Sequence, residues 1–118
     1  MKASVTKIVR FEMAHMLDEC YSQECKRIHG HSYKLEVTFE GEVNPATGMI
    51  IDFKAVKEML QPVVDRYDHQ FLTSETYGKN PTAENMAIDI FAQISKQSAL
   101  IKRVRLWETH SAFAEVSF

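Results

Sequence analysis

His29-Gly30-His31-Ser32-Tyr33-Lys34-Leu35-Glu36-Val37-Thr38-Phe39-Glu40 decides the fold. Its odd positions carry His, His, Tyr, Leu, Val and Phe, and its even positions carry Gly, Ser, Lys, Glu, Thr and Glu. A period of two sends alternate side chains to opposite faces, so this stretch predicts a strand with one buried face and one wet face. The two histidines prolong the buried face at its N-terminal end. Imidazoles two apart on a strand point the same way.

Upstream, residues 4–15 predict a second strand, with Val5, Val9, Phe11 and Met13 on one side and His15 continuing it. Residues 16–28 between them are polar and irregular, a loop that holds Cys20 and Cys25. Downstream, Gly41 to Gly48 contains Asn44-Pro45 and reads as a turn region, and Met49-Ile50-Ile51 as a short strand. Asp52 predicts the N-cap of a helix running to about Tyr67, with Phe53, Val56, Leu60, Val63 and Tyr67 on one stripe. Pro62 lies inside it and removes a backbone donor, which predicts a kink. Asn80-Pro81-Thr82 signals a second helix, whose buried side is Met86, Ile90, Phe91 and Ile94. Two strands, roughly 100–109 and 112–118, close the chain. The order strand, strand, helix, helix, strand, strand predicts an α+β fold with an antiparallel sheet and helices on one face.

At 118 residues the chain is one domain, 1–118, large enough to bury a core. A net charge of −2 gives no general attraction to nucleic acid or anionic membranes, so an anionic substrate has to meet local positive charge. No apolar run approaches the roughly 20 residues of a membrane span, and Met1 to Lys7 lacks the apolar core of a secretory signal. Two cysteines among histidines make a poor disulfide framework. The expected compartment is the cytoplasm, where free thiols persist.

If the first two strands form a hairpin, His15 leaves one roughly where His31 enters the other, and His15, His29 and His31 converge. Three neutral imidazoles suit zinc and leave one tetrahedral position open, the catalytic arrangement. A single histidine on such a face is ordinarily a packed residue. The His-x-His pair with a third histidine at a compatible position favours the metal. A rival set, Cys20, Cys25, His29 and His31, would close a structural Cys2His2 site, but finger histidines sit on a helix with three to five residues between them.

Cys25, flanked by Glu24 and Lys26-Arg27, is a candidate thiolate base or nucleophile, since nearby cations lower a thiol's pKa. The ordinary alternative is an idle surface thiol. Asp68-His69 is a candidate carboxylate–imidazole pair if the chain bends after Tyr67. The alternative is a solvated helix end. Glu108 shares a face with Val104 and Leu106, where a carboxylate is costly unless it is paired or meets a ligand donor. Cys20 and His110 carry no assigned role.

Phe11-Glu12-Met13-Ala14-His15 and Cys25-x3-His29-Gly30-His31-Ser32-Tyr33 resemble the 6-pyruvoyl- and 6-carboxytetrahydropterin synthase family. The resemblance continues in order through Gly48-Met49-Ile50-Ile51-Asp52-Phe53, Asp68-His69, Asn80-Pro81-Thr82-Ala83-Glu84-Asn85 and Trp107-Glu108-Thr109. It implies the tunnelling fold, a four-stranded antiparallel sheet with two helices on one side, assembled as a homohexamer (a dimer of trimers) with sites between subunits. It implies zinc held by His15, His29 and His31, Cys25 as base, Asp68 and His69 as its proton relay, Glu108 as anchor of the pterin, and a lining role for Thr82. The implied substrate is 7,8-dihydroneopterin triphosphate, with Lys26, Arg27 or Lys34 to receive phosphates.

Only Lys26-Arg27-Ile28 separate Cys25 from His29, as in the 6-carboxy type that feeds 7-deazaguanine and queuosine synthesis and loses acetaldehyde with triphosphate. The expected activity is therefore a zinc-dependent lyase, 6-carboxytetrahydropterin synthase. The alternatives are the 6-pyruvoyl synthase, aldolase-like cleavage of dihydroneopterin, and a non-catalytic domain with a structural zinc.

Overall fold

A computed structural model describes residues 1–118. β1 (Lys2–His15) and β2 (His29–Glu42) form a long antiparallel hairpin. Then follow α1 (Phe53–Tyr67), β3 (Gln70–Leu72), a single turn α2 (Ser74–Tyr77), α3 (Ala83–Ser95), β4 (Ile101–Thr109) and β5 (Ala112–Ser117). The sheet order is β3-β1-β2-β4-β5, antiparallel except for β3, which runs parallel to β1.

The core lies between the sheet's odd-numbered β1 and β2 positions and the two long helices. Tyr33, Leu35, Val37 and Phe39 are wholly buried against Val56, Leu60, Val63, Met86, Ile90 and Ile94. The alternation read from residues 29–40 is thus the burial pattern of β2. Asp52 caps α1 through its carboxylate, which accepts from Lys54 N at 3.0 Å. Such a cap contributes about 1 kcal/mol. α1 runs unbroken through Pro62.

Several expectations need correction. The sheet has five strands, because Gln70–Leu72 adds a short edge beside β1 that three residues cannot announce in sequence. Met49-Ile50-Ile51 forms no strand; a lone bridge joins Asn44 to Met49. Phe53 is exposed, and Met59 takes the place expected of it on the buried side of α1.

Candidate active site

The β1–β2 register brings the three histidines together. His15 stands opposite His29, and His31 opposite Met13, one pair away from the expected facing of His15 and His31. His29 and His31 share the core face two positions apart, so all three rings meet at the end of the hairpin. Their centroids are 4.4 Å apart for His15–His29, 5.2 Å for His29–His31 and 5.3 Å for His15–His31. One nitrogen from each lies within 4.8 Å of the others.

Hydrogen bonds to the far side of two rings fix their protons. His15 Nδ1 lies 2.8 Å from the carbonyl of Pro81, and His29 Nδ1 lies 2.8 Å from the carbonyl of Arg27. A carbonyl only accepts, so Nδ1 carries the hydrogen and donates it. In the neutral ring this leaves the lone pair on Nε2, the arrangement that orients a metal-binding histidine. Burial pushes the pKa of His15 down, and burial also pushes that of His31 down against the opposing pull of Glu108. Neutral rings are what a metal requires. His15 Nε2 is fully buried without any hydrogen-bond partner, a costly orphan in a protein interior. The donor set therefore fits a metal ion.

Glu108 reaches the same point. Its Oε1 lies 3.4 Å from Nε2 of both His15 and His31. The carboxylate shares the face of Val104 and Leu106 on β4, as the alternation implied. Burial and then Glu108 raise the pKa of the Tyr33 phenol, so Tyr33 stays protonated beneath the cluster.

The cysteines are paired, against the expectation of free thiols. Loop 16–28 folds back on itself, with Leu17 N donating to the Cys25 carbonyl at 3.1 Å and a single 3-10 turn over Glu24–Lys26. That closure brings the two Cα atoms to 6.4 Å, within bonding range, and Cys20 and Cys25 form a disulfide. Counting cysteines could not reveal a loop that closes on itself. In this form Cys25 holds no thiolate, and neither sulfur is available to a Cys2His2 site.

Asp68 and His69 do face each other. α1 ends at Tyr67, Asp68 is extended, and His69 takes a left-handed φ of 59°. The bend sets Asp68 Oδ1 3.0 Å from His69 Nδ1. Two bonds to β1 lock it: Glu12 N donates to Asp68 Oδ1 at 3.0 Å, and His69 N donates to the Glu12 carbonyl at 2.6 Å. The Glu12 amide and His69 hold the Asp68 pKa below the usual carboxylate range. His69 and His31 line one cleft with Glu12, Ser32 and Phe71, and Cys25 is not among its walls.

Thr82 caps α3, its hydroxyl oxygen accepting from Asn85 N at 3.2 Å. It thereby fixes the turn that aims the Pro81 carbonyl at His15. The two carbonyls that orient the histidines, those of Arg27 and Pro81, have no signature in sequence, because a backbone oxygen carries no residue identity. His110 is exposed on the wall of a second cleft shared with His31 and Glu108.

Known proteins resemble this chain along essentially its whole length. The profile of the 6-pyruvoyl tetrahydropterin synthase family matches residues 4–117. A Haemophilus influenzae protein named 6-carboxy-5,6,7,8-tetrahydropterin synthase is 33% identical, aligned over 94% of this chain and 96% of its own. A Pyrococcus furiosus dihydroneopterin monophosphate aldolase is also 33% identical, over the full length of both chains. The structure of Caenorhabditis elegans 6-pyruvoyl tetrahydropterin synthase superposes with a TM-score of 0.87 at 25% identity, covering 100% of this chain and 96% of that one. By sequence and fold together, this chain belongs to the 6-pyruvoyl tetrahydropterin synthase family.

Proposed function

We propose that the chain is a zinc-dependent 6-carboxytetrahydropterin synthase, a lyase that converts 7,8-dihydroneopterin triphosphate to 6-carboxytetrahydropterin with loss of triphosphate and acetaldehyde. The observation that carries this reading is the set of three imidazoles, each with a nitrogen within 4.8 Å of the others, two of which face Glu108 through Nε2. The similarity to the Haemophilus influenzae protein and the three-residue step from Cys25 to His29 favour the 6-carboxy product.

His15, His29 and His31 would hold the ion. Zinc, when bound, supplies Lewis-acid polarisation of the substrate's side-chain hydroxyls. Glu108 accepts hydrogen bonds from the amino-pyrimidine edge of the pterin and so orients the ring. Cys25, once reduced, takes a carbon-bound proton as its thiolate. Asp68 keeps His69 oriented and steadies its protonated form, so that His69 can pass that proton on. A homohexamer with sites between subunits would let the Asp68–His69 pair of one copy serve Cys25 of another. The expected setting is the 7-deazaguanine and queuosine route in the cytoplasm; no helix here is long and apolar enough to cross a membrane.

The end-to-end match to the Pyrococcus furiosus aldolase favours a second reading, retro-aldol cleavage of a phosphorylated dihydroneopterin. The products separate the two. A synthase releases inorganic triphosphate, whereas retro-aldol cleavage leaves all phosphate on a two-carbon aldehyde. Zinc-loaded, reduced protein incubated with dihydroneopterin triphosphate should yield acetaldehyde, triphosphate and the 6-carboxy pterin. A phosphorylated aldehyde would replace the synthase reading with the aldolase, a 6-pyruvoyl product without acetaldehyde would reassign the subtype, and no turnover would leave a non-catalytic domain.

A further inference from the structure

The β2–β4 ladder stops at Lys34 opposite Trp107. Beyond that pair the two strands part, and a cleft of about 480 Å³ opens, lined by Arg10, His31, Lys34, Trp107, Glu108 and His110 among others. The metal-binding face and the helix-free face of the sheet thus meet at one slot.

On the helix-free side, Arg10 of β1 stands directly opposite Lys34 of β2. Like charges in that relation repel. Neither has a carboxylate within salt-bridge distance. The two nearby acids on this face are occupied otherwise: Glu12 accepts from the Ser32 hydroxyl at 2.6 Å, and Glu36 from the Trp107 indole at 2.9 Å. Lys34 Nζ rests 4.5 Å from the centroid of the Trp107 ring, which steadies it without neutralising it. Glu108, the carboxylate in the slot's own wall, sits 3.4 Å from His15 and His31. His110 adds a third basic group to the slot.

An anion bridging the two side chains would remove their repulsion and satisfy both. Phosphate oxygens match the guanidinium fork and the ammonium group. We propose that Arg10 and Lys34 form the subsite for the substrate's phosphate chain, across the slot from the histidines and Glu108. The inference rests on the phosphorylated-pterin reading for the identity of its ligand. It favours Arg10 and Lys34 over Lys26 and Arg27, which line neither this cleft nor the one beside His69. A ligand seated at the histidines would send its anionic tail through the slot to the opposite face.

The test measures binding of inorganic triphosphate to the zinc-loaded protein by calorimetry, beside binding of unphosphorylated dihydroneopterin by fluorescence. Arg10→Gln and Lys34→Gln should each weaken triphosphate at least about tenfold and the double variant about 100-fold, as expected for lost charge-assisted hydrogen bonds. Dihydroneopterin binding and zinc content should not change, and the melting temperature should hold or rise as the repulsion between the two cations is lost. Arg10→Lys with Lys34→Arg should restore most of the affinity. Unchanged triphosphate affinity in the double variant, or loss of it through Lys26→Gln and Arg27→Gln instead, overturns the subsite. Turnover with an unaltered KM for the phosphorylated substrate in the double variant also overturns it while leaving the proposed reaction standing. Absence of turnover with triphosphate binding still lost in the double variant supports the subsite and removes the reaction.

Discussion

Replacing His15 with leucine removes one of three candidate metal nitrogens while keeping the site filled. In the metal-free protein two effects oppose each other. The variant loses the orphaned Nε2, whose burial costs about 1–3 kcal/mol, but strands the Pro81 carbonyl at a similar cost. The net change should stay within about 1 kcal/mol. For 118 residues the unfolding entropy is about 250 cal/mol/K, so each kcal/mol shifts the melting temperature by about 4 °C.

Zinc at about a thousand times its Kd stabilises the native protein by about 4 kcal/mol, or about 16 °C. Losing one ligand should weaken binding at least about 100-fold, beyond the effect of outer hydrogen-bond partners. At the same zinc concentration the variant then gains about 1.4 kcal/mol, or about 6 °C. Thermal unfolding followed by circular dichroism, with zinc added back after chelation, reads this gap of about 10 °C. A His15→Leu protein that keeps the full zinc response would refute the three-histidine site. So would a Cys20→Ser protein that loses it.

Cys20→Ser should make turnover independent of added reductant, because Cys25 then has no disulfide partner; wild-type protein that turns over equally well without reductant would show that Cys25 is not the base. Asp68→Asn should lower kcat about tenfold to 100-fold and leave zinc content unchanged, with kinetics and metal analysis on one preparation as the check. The metal-free protein should lose stability as pH falls below about 6.5. His15 and His31 lie below that ordinary value when folded, so the unfolded chain takes up protons first; stability present above it drains as pH descends toward the lowered folded values. Melting curves from about pH 8 to about pH 5 should show a steeper decline than in His15→Leu, and parallel curves would remove histidine burial as the cause.

Long periodic segments were the legible part of the fold. Residues 29–40 and 83–95 announce themselves because burial of one face forces a period on the side chains. Gln70–Leu72 leaves no mark in sequence because a three-residue edge has no period, and Phe53 departs from its expected burial because the apolar stripe runs past the end of the core. At the site, His15, His29 and His31 could be found from strand spacing, and Glu108 from the cost of a carboxylate on an apolar face. The Asp68–His69 pair needed a left-handed backbone at His69, a conformation that histidine only occasionally adopts. The facing of Arg10 and Lys34 depends on hairpin register, which a loop of irregular length does not specify.

The bond from His15 to the Pro81 carbonyl spans 66 residues of chain. The hairpin carrying all three imidazoles leaves the ribosome well before the turn that orients the first of them. Until the Pro81 turn is in place, His15 lacks the partner that fixes its proton. On the proposed zinc reading, metal competence would then be acquired late in maturation, and a firmly held ion would report that this turn has formed.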